Sequence, residues 1–225
     1  MVNKLLIFDM DGVLVDVNSS YREAIVRTVE YFTGHRVSHE SIQAYKNQGG
    51  WNDDWMLSQR MCADLGVSVD LDTVTERFNR FFFGEDGQDG LIKNERWIAE
   101  PGLLERLSER YKLGIFTGRH DFEVAPTLER FAAGFCFDPV ITANCVKELK
   151  PSPEGLLQIM AAHPGAEIWY VGDTVDDALA AKAAKVRFIG IAEPGKPRYE
   201  EVCALLKEHG ATAVLDDINQ LERVL

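Results

Sequence analysis

Residues 5–12, LLIFDMDG, carry the strongest fold signal in the chain. The unbroken apolar run Leu5–Phe8 is typical of a strand that is buried on both faces of a parallel sheet, and a polar turn follows from Asp9. Such a strand needs partner strands from later in the sequence. They are predicted at about 113–117, 137–141, 168–172, 187–191 and 212–215, with helices between them. This alternation predicts a parallel sheet with right-handed crossovers.

Residues 16–99 follow a different pattern, because their apolar residues repeat at helical spacing. Helices are predicted from about residue 20, where Ser20 and Glu23 suggest a capping box, and over about 39–48, 52–65 and 70–83. We therefore expect an α/β protein in two parts. Residues 1–15 with 100–225 form the sheet domain, and residues 16–99 form an inserted all-helical domain.

The chain has 225 residues, with 24 Lys and Arg against 36 Asp and Glu and a net charge of −12. This charge repels nucleic-acid phosphates and anionic lipid surfaces, so we expect neither nucleic acid nor a membrane as a partner. No apolar stretch reaches the roughly 18 residues of a membrane helix, and no signal peptide is evident, which favours a cytoplasmic protein. The four cysteines form no C-x-x-C pair, and we expect free thiols in the core.

Chemically active residues cluster where the predicted strands end. Asp9 and Asp11 follow the first strand, residues 117–119 (TGR) and 172–177 (GDTVDD) follow two others, and Lys150 precedes a proline. Alone, each has an ordinary explanation: an acidic turn, a glycine turn, acids at a helix N-terminus or a solvated lysine. Ligands of parallel sheets bind outside the carboxyl ends of the strands. Four acids, a hydroxyl and a lysine at that edge favour Mg²⁺-dependent phosphoryl transfer.

Residues 9–13 (DMDGV), 117–119, 150–151 (KP) and 172–177 resemble, in this order, the four motifs of the haloacid dehalogenase superfamily. The helical insertion between the first two motifs resembles the subfamily I cap of phosphoglycolate phosphatase-like members. The resemblance implies a three-layer Rossmann-like core that carries catalysis and a helical cap that sets substrate specificity. It also implies a small phosphorylated metabolite as substrate and Mg²⁺ as cofactor, and we expect a monomer or a homodimer.

The resemblance assigns catalytic roles to five positions. Asp9 is the nucleophile that forms an aspartyl phosphate, and Asp11 is the general acid for the leaving alcohol and then the base for water. Thr117 and the amide of Gly118 hold phosphate oxygens, while Lys150 pairs with Asp9 and the phosphate.

The same motifs imply a metal site. Mg²⁺ would be bound by the Asp9 carboxylate, the Asp11 main-chain carbonyl and Asp173, with Asp177 positioning a metal-bound water. The cation and Lys150 would invert the local field, which explains how an acidic protein could bind a phosphate ester.

Substrate selection is expected from the insertion. Residues 46–52 (KNQGGWN) make Lys46, Trp51 and Asn52 candidate binding residues, although a plain connection between helices also uses glycine. Arg119 is a further candidate, and its neighbour His120 either reaches the leaving group or lies on the surface. Residues 85–90 (EDGQDG) fail the calcium-loop spacing and are interpreted as a mobile loop.

Several other activities share parts of this pattern. A dehalogenase is disfavoured because halide needs no proton, whereas Asp11 suits an oxygen leaving group. A phosphonate hydrolase would need a lysine in the insertion, and Lys46 is the only one between residues 16 and 92. A phosphomutase of the β-phosphoglucomutase type has the same motifs and stays open, as does an inactive regulatory homologue. A receiver-type signalling module has its acidic pair before the acceptor aspartate and needs no long insertion.

Overall fold

The computed structural model describes residues 4–225. The chain divides into two compact units. The first comprises the chain up to Val15 together with Trp97–Leu225, and the second comprises Asp16–Arg96. Assigning catalysis to the first unit and substrate selection to the second stays a prediction.

The secondary structure follows in chain order. Within residues 4–225 the strands are β1 (Lys4–Phe8), β2 (Val15–Asp16), β3 (Arg96–Trp97), β4 (Lys112–Phe116), β5 (Val140–Ile141), β6 (Glu167–Gly172), β7 (Arg187–Ile191) and β8 (Ala211–Leu215). The α-helices are α1 (Tyr21–Thr33), α2 (His39–Lys46), α3 (Asp54–Asp64), α4 (Leu71–Phe83), α5 (Leu103–Ser108), α6 (Asp121–Ala132), α7 (Glu154–Ala162), α8 (Val175–Ala184) and α9 (Tyr199–Glu208). Short 3₁₀ helices cover Leu91–Asn94, Ala143–Cys145 and Ile218–Arg223.

The main sheet of the first unit has the strand order β5-β4-β1-β6-β7-β8, and every pair in it is parallel. This confirms the predicted α/β class with a helical insertion. The strand predicted over 137–141 is shorter than expected. Pro139 cannot donate a hydrogen bond to β4, so regular pairing begins only at Val140.

The position of β1 explains its composition. It lies between β4 and β6, and the residues Leu5–Phe8 are at most 2% exposed. Side chains on both faces of such a central strand are covered, so no polar alternation is tolerated. The ends of β4, β1 and β6 are therefore neighbours, with Phe8 paired to both Ile115 and Val171. This adjacency brings three of the sequence motifs to one edge of the sheet.

The second unit contains α1–α4, and aromatic rings hold its core. Tyr21 of α1 lies 4.1 Å from the Phe82 ring of α4, centroid to centroid, with Phe78 beside them. The predicted Ser20 capping box is wrong. The Ser20 backbone lies outside the extended conformation that a cap needs, and its hydroxyl donates to the Val17 carbonyl instead.

The cysteines are free, as predicted, but most are not core residues. Cys62 is buried, Cys203 is partly buried, and Cys136 and Cys145 are exposed. Cys136 lies in the connection between α6 and β5, and Cys145 is the last residue of a short 3₁₀ helix. Among residues 4–225, no helix combines the length and the apolar character needed to cross a bilayer.

Candidate active site

Three strand ends of the first unit supply the centre of the site. Asp9 directly follows β1, Thr117 follows β4 and Asp173 follows β6. The Asp9 amide donates to the Val171 carbonyl at 2.8 Å, which fixes the start of the turn. Sequence reasoning expected these residues at the same sheet edge, and the strand order brings them there.

Lys150 lies at the centre of a buried group of polar side chains. Its Nζ is 3.0 Å from Asp9 Oδ1 and 2.7 Å from Asp177 Oδ1, and it donates to the Tyr170 hydroxyl at 3.1 Å. The Tyr170 hydroxyl donates to Asp177 Oδ1 at 2.5 Å. The second Asp177 oxygen accepts from the amide and hydroxyl of Thr174, at 3.0 and 2.6 Å. The ammonium is thus held in one place, between two carboxylates.

Burial is the largest influence on the pKa of each of these groups. It raises the pKa of Asp9 from 3.8 to about 7, opposed by Lys150 and assisted by Asp177 and Asp11. Burial also acts to raise the pKa of Asp177, but Lys150, Thr174 and Tyr170 outweigh it and the net pKa is lowered. Burial acts to lower the pKa of Lys150, but Asp177 and Asp9 outweigh it and the net pKa is raised. Of Asp9, Asp177 and Lys150, Asp9 is therefore the one whose net pKa shift disfavours the charged form.

Asp9, Asp173 and Asp177 each contribute a carboxylate oxygen to one cluster, with these atoms all within 4.8 Å of one another. Opposite ligands of a Mg²⁺ ion are about 4.2 Å apart, so this spacing is of the right scale. The cluster has three carboxylates, and the Lys150 ammonium pairs with two of them, Asp9 and Asp177, so a divalent cation would balance the excess negative charge. The donor set therefore fits Mg²⁺.

Glycine is required at one turn beside this cluster. Gly12 has a φ of +71°, and a Cβ there would collide with the Asp173 carboxylate. The glycine of the first motif thus lets the turn after β1 approach the acid that follows β6.

Asp11 lies outside the carboxylate cluster and is held by Arg119. The Nε and Nη2 of Arg119 donate to Asp11 Oδ1 at 2.8 and 2.6 Å, and its Nη1 donates to the Thr127 hydroxyl at 2.8 Å. The Arg119 side chain is 1% exposed, whereas that of Asp11 is 33% exposed. The structure thus places Arg119 against a candidate catalytic acid, although the sequence suggested it as a substrate ligand. A metal contact through the Asp11 main-chain carbonyl stays a prediction.

The turn after β4 carries the predicted phosphate ligands. The Thr117 hydroxyl accepts from the Arg119 amide at 3.2 Å, so its own proton is available to another acceptor. Gly118 is partly exposed. His120 is the N-cap residue of α6, and its Nδ1 is 3.2 Å from Asn144 Oδ1. Neither the predicted phosphate contacts nor a role for His120 is tested by this geometry.

The candidate substrate residues of the second unit are differently engaged. Lys46 pairs with Asp54 at 2.7 Å, and both side chains are largely buried. Trp51 packs edge-on against Tyr45 at 5.8 Å, and Asn52 is partly buried. The loop predicted over 85–90 is tied at its first residue, because Glu85 pairs with Arg77 and Arg80. These contacts do not test whether Lys46, Trp51 and Asn52 bind substrate, and those roles stay predictions.

The same unit contains a hydrogen-bond chain that the sequence did not suggest. Arg22 Nη2 donates to Gln43 Oε1, and Gln43 Nε2 donates to Asn47 Oδ1, both at 2.8 Å. At its two ends, Arg22 Nη1 and Asn47 Nδ2 are buried and have no hydrogen-bond acceptor among residues 4–225. Within the described residues, both atoms are therefore buried hydrogen-bond donors that lack an acceptor.

Sequence reasoning missed three residues that shape the first unit's site. Tyr170 lies within the strand predicted over 168–172, where a buried tyrosine hydroxyl needs a hydrogen-bond partner, and this need is a signal that the sequence offers. Thr174 stands three residues before Asp177, which is the spacing of the capping box they form. Thr127 gave no signal, because its partner Arg119 is in another element.

Comparisons with known proteins agree with the architecture. The family model described as haloacid dehalogenase-like hydrolase matches residues 6–191. A protein of Phytophthora nicotianae named imidazoleglycerol-phosphate dehydratase is 34% identical over 93% of this chain, but the match spans only 49% of that relative. A phosphoglycolate phosphatase of Pseudomonas syringae pv. syringae is 27% identical over 97% of this chain and 78% of its own. A solved phosphatase from Thermococcus thioreducens is 29% identical with a TM-score of 0.65, covering 89% of this chain and 98% of its own.

Proposed function

This chain belongs to the haloacid dehalogenase-like hydrolase family, and we propose that it is a Mg²⁺-dependent phosphomonoesterase. Its substrate would be a small phosphorylated metabolite, and Asp9 would be the nucleophile. The observation that carries the proposal is the placement of Asp9, a buried carboxylate 3.0 Å from Lys150 that shares an acid cluster with Asp173 and Asp177.

The chain's own residues supply most of the chemistry. Asp9 attacks phosphorus and becomes an aspartyl phosphate, while Lys150 neutralises charge on Asp9 and on the phosphate. Tyr170 and Asp177 keep the Lys150 ammonium from moving. Bound Mg²⁺ would be held by the acid cluster and would supply charge neutralisation for the transferred phosphoryl group. Thr117 would donate its hydroxyl proton to a phosphate oxygen.

Asp11 supports an oxygen leaving group. A carboxylic acid that is one third exposed beside the nucleophile can protonate an alkoxide as it departs and can later take a proton from water. The same features would serve a phosphomutase, which differs in passing the phosphoryl group to a second sugar hydroxyl instead of water. A phosphonate hydrolase is disfavoured further, because Lys46 is engaged by the Asp54 carboxylate.

Two substrate classes are favoured by the relatives. One is phosphoglycolate and similar phosphorylated acids, since several relatives at about 27% identity have that name. The other is phosphate esters that carry an imidazole ring, since the relative at 34% identity is named for imidazoleglycerol phosphate.

The direct test measures phosphate release from p-nitrophenyl phosphate and from a panel holding both substrate classes, with Mg²⁺ and with EDTA. We expect Mg²⁺-dependent turnover by the wild type and none by Asp9→Asn. Asp72→Asn, which alters an exposed acid on α4, serves as the matched control and should retain activity. Full activity of Asp9→Asn, or turnover that survives EDTA, would contradict the mechanism. Exchange of phosphoryl groups between sugar positions without phosphate release would favour the mutase.

A further inference from the structure

Arg119 uses its guanidinium in an unusual way. Arginine commonly binds a carboxylate through two parallel bonds, one to each oxygen. Here both Nε and Nη2 donate to the same oxygen, Oδ1 of Asp11, at 2.8 and 2.6 Å. The second oxygen, Oδ2, accepts no hydrogen bond from any residue in the range 4–225. The pair thus distinguishes the two oxygens of one carboxylate.

The guanidinium is fixed on its other side as well. Nη1 donates to the hydroxyl of Thr127, which is itself buried on α6. The Arg119 main-chain amide donates to the Thr117 hydroxyl. All three guanidinium nitrogens therefore have partners, and a side chain that is 1% exposed has no solvent into which it could turn.

We propose, on the basis of the phosphomonoesterase function above, that Arg119 is a positioning residue that reserves Asp11 Oδ2 for proton transfer. In the first half-reaction the Oδ2–H proton passes to the leaving oxygen as the P–O bond to the alcohol breaks and the bond from Asp9 to phosphorus forms. In the second, Oδ2 takes the proton from the water that attacks phosphorus, and the bond from phosphorus to Asp9 breaks. Both transfers use one oxygen, while Arg119 holds the other.

This role differs from substrate binding, because it acts through Asp11 and depends on the leaving group. An alkoxide needs a proton as it leaves, whereas dinitrophenolate leaves without one. Loss of a residue that merely supports the fold, or that binds the phosphoryl group, would slow both kinds of ester equally. Loss of a residue that orients the acid would slow the alkyl ester selectively.

The experiment compares kcat/KM for an alkyl phosphate and for 2,4-dinitrophenyl phosphate in the presence of Mg²⁺. The variants are Arg119→Gln, Arg119→Lys and Asp11→Asn, with Arg106→Gln as the matched control, since Arg106 pairs with Glu222 on the surface. We expect Arg119→Gln to lose about 100-fold or more on the alkyl ester and less than about 10-fold on the aryl ester. Arg119→Lys keeps the positive charge but loses the paired Nε and Nη2 donors. Its loss in kcat/KM should again be larger on the alkyl ester than on the aryl ester, but smaller than that of Arg119→Gln. In the Asp11→Asn background, adding Arg119→Gln should not lower kcat/KM for the alkyl ester any further, because the acid that Arg119 orients is already absent.

Thr127→Val provides a second route if Arg119→Gln does not fold. It removes the acceptor of Nη1 and leaves the charge in place, and we expect a smaller loss with the same preference for the alkyl ester. Equal losses on both esters by the folded variants, or an additive loss in the Asp11→Asn background, would overturn the positioning role and leave the proposed function standing. No Mg²⁺-dependent turnover of either ester by the wild type would overturn the proposed function, and this inference with it.

Discussion

Replacing Asp9 by asparagine should make the metal-free protein more stable at neutral pH. Asp9 is 4% exposed and shares its surroundings with Asp11, Asp173 and Asp177, and Lys150 offsets only part of this negative charge. Asparagine resembles the protonated carboxyl in size but carries no charge. The substitution therefore removes the cost of ionising this carboxyl.

The size of the effect follows from the pKa of Asp9, which is raised from 3.8 to about 7. Each pKa unit corresponds to about 1.4 kcal/mol. The native state binds this proton more tightly than the unfolded state, so its stabilising effect is fully present below pH 3.8 and is lost as the pH rises to about 7. The free energy of unfolding of Asp9→Asn should therefore be higher than that of the wild type, by under about 2 kcal/mol at pH 5 and by about 4 kcal/mol at pH 8.

Urea denaturation in EDTA, followed by circular dichroism at pH 5 and pH 8, measures this difference. Asp72→Asn is the control, and its free energy of unfolding should stay within about 0.5 kcal/mol of the wild type. Adding Mg²⁺ at about a hundred times its Kd should stabilise the wild type by about 2.7 kcal/mol. The difference in free energy of unfolding between the two proteins should then become smaller, because Asp9→Asn lacks one of the metal ligands and gains less from Mg²⁺. An Asp9→Asn protein less stable than the wild type at pH 8 would refute the reasoning, since Asp9 would then contribute net favourable interactions.

Three further outcomes are expected. Gly12→Ala should weaken Mg²⁺ binding, measured by calorimetry, because its Cβ would displace the Asp173 carboxylate; Gly34→Ala has a similar φ of +72° but open space around it and should bind Mg²⁺ normally. Tyr170→Phe should lower the free energy of unfolding by about 1.5–3 kcal/mol, the usual cost of hydrogen bonds to charged groups, and unchanged urea denaturation would show that the hydroxyl contributes little. Trp51→Ala should change the preference among natural substrates more than p-nitrophenyl phosphate turnover, and equal losses in kcat/KM on both would argue against a specificity role.

Much of the fold could be predicted because its signals are local. The run Leu5–Phe8 indicated a central strand, and the later strands and helices alternated clearly enough to give a parallel sheet. Errors arose at the ends of elements, where the conformation of a single residue decides the boundary. Pro139 shortened β5, and Ser20 failed to cap α1 because its backbone conformation does not suit a cap.

The sequence predicted which residues form the candidate site better than it predicted which of their side chains contact each other. Strand ends of a parallel sheet must meet at one edge, so the proximity of Asp9 and Asp173 followed from topology. The pairing of Asp11 with Arg119 spans 108 positions in sequence, and no spacing rule reports such a contact. In the same way, nothing local shows that Lys46 is engaged by Asp54. Which atoms pair is decided by side-chain packing, which periodicity does not encode.

The central claim, that Asp9 becomes phosphorylated during turnover, can be tested by trapping the acyl phosphate. The wild type is mixed with Mg²⁺ and excess p-nitrophenyl phosphate, quenched in acid during the steady state, reduced with borohydride and mapped by peptide mass spectrometry. Borohydride reduces an aspartyl phosphate to homoserine, and this account predicts homoserine at position 9, only when both Mg²⁺ and substrate are present. Homoserine at another aspartate, or none at any position while phosphate is being released, would contradict it.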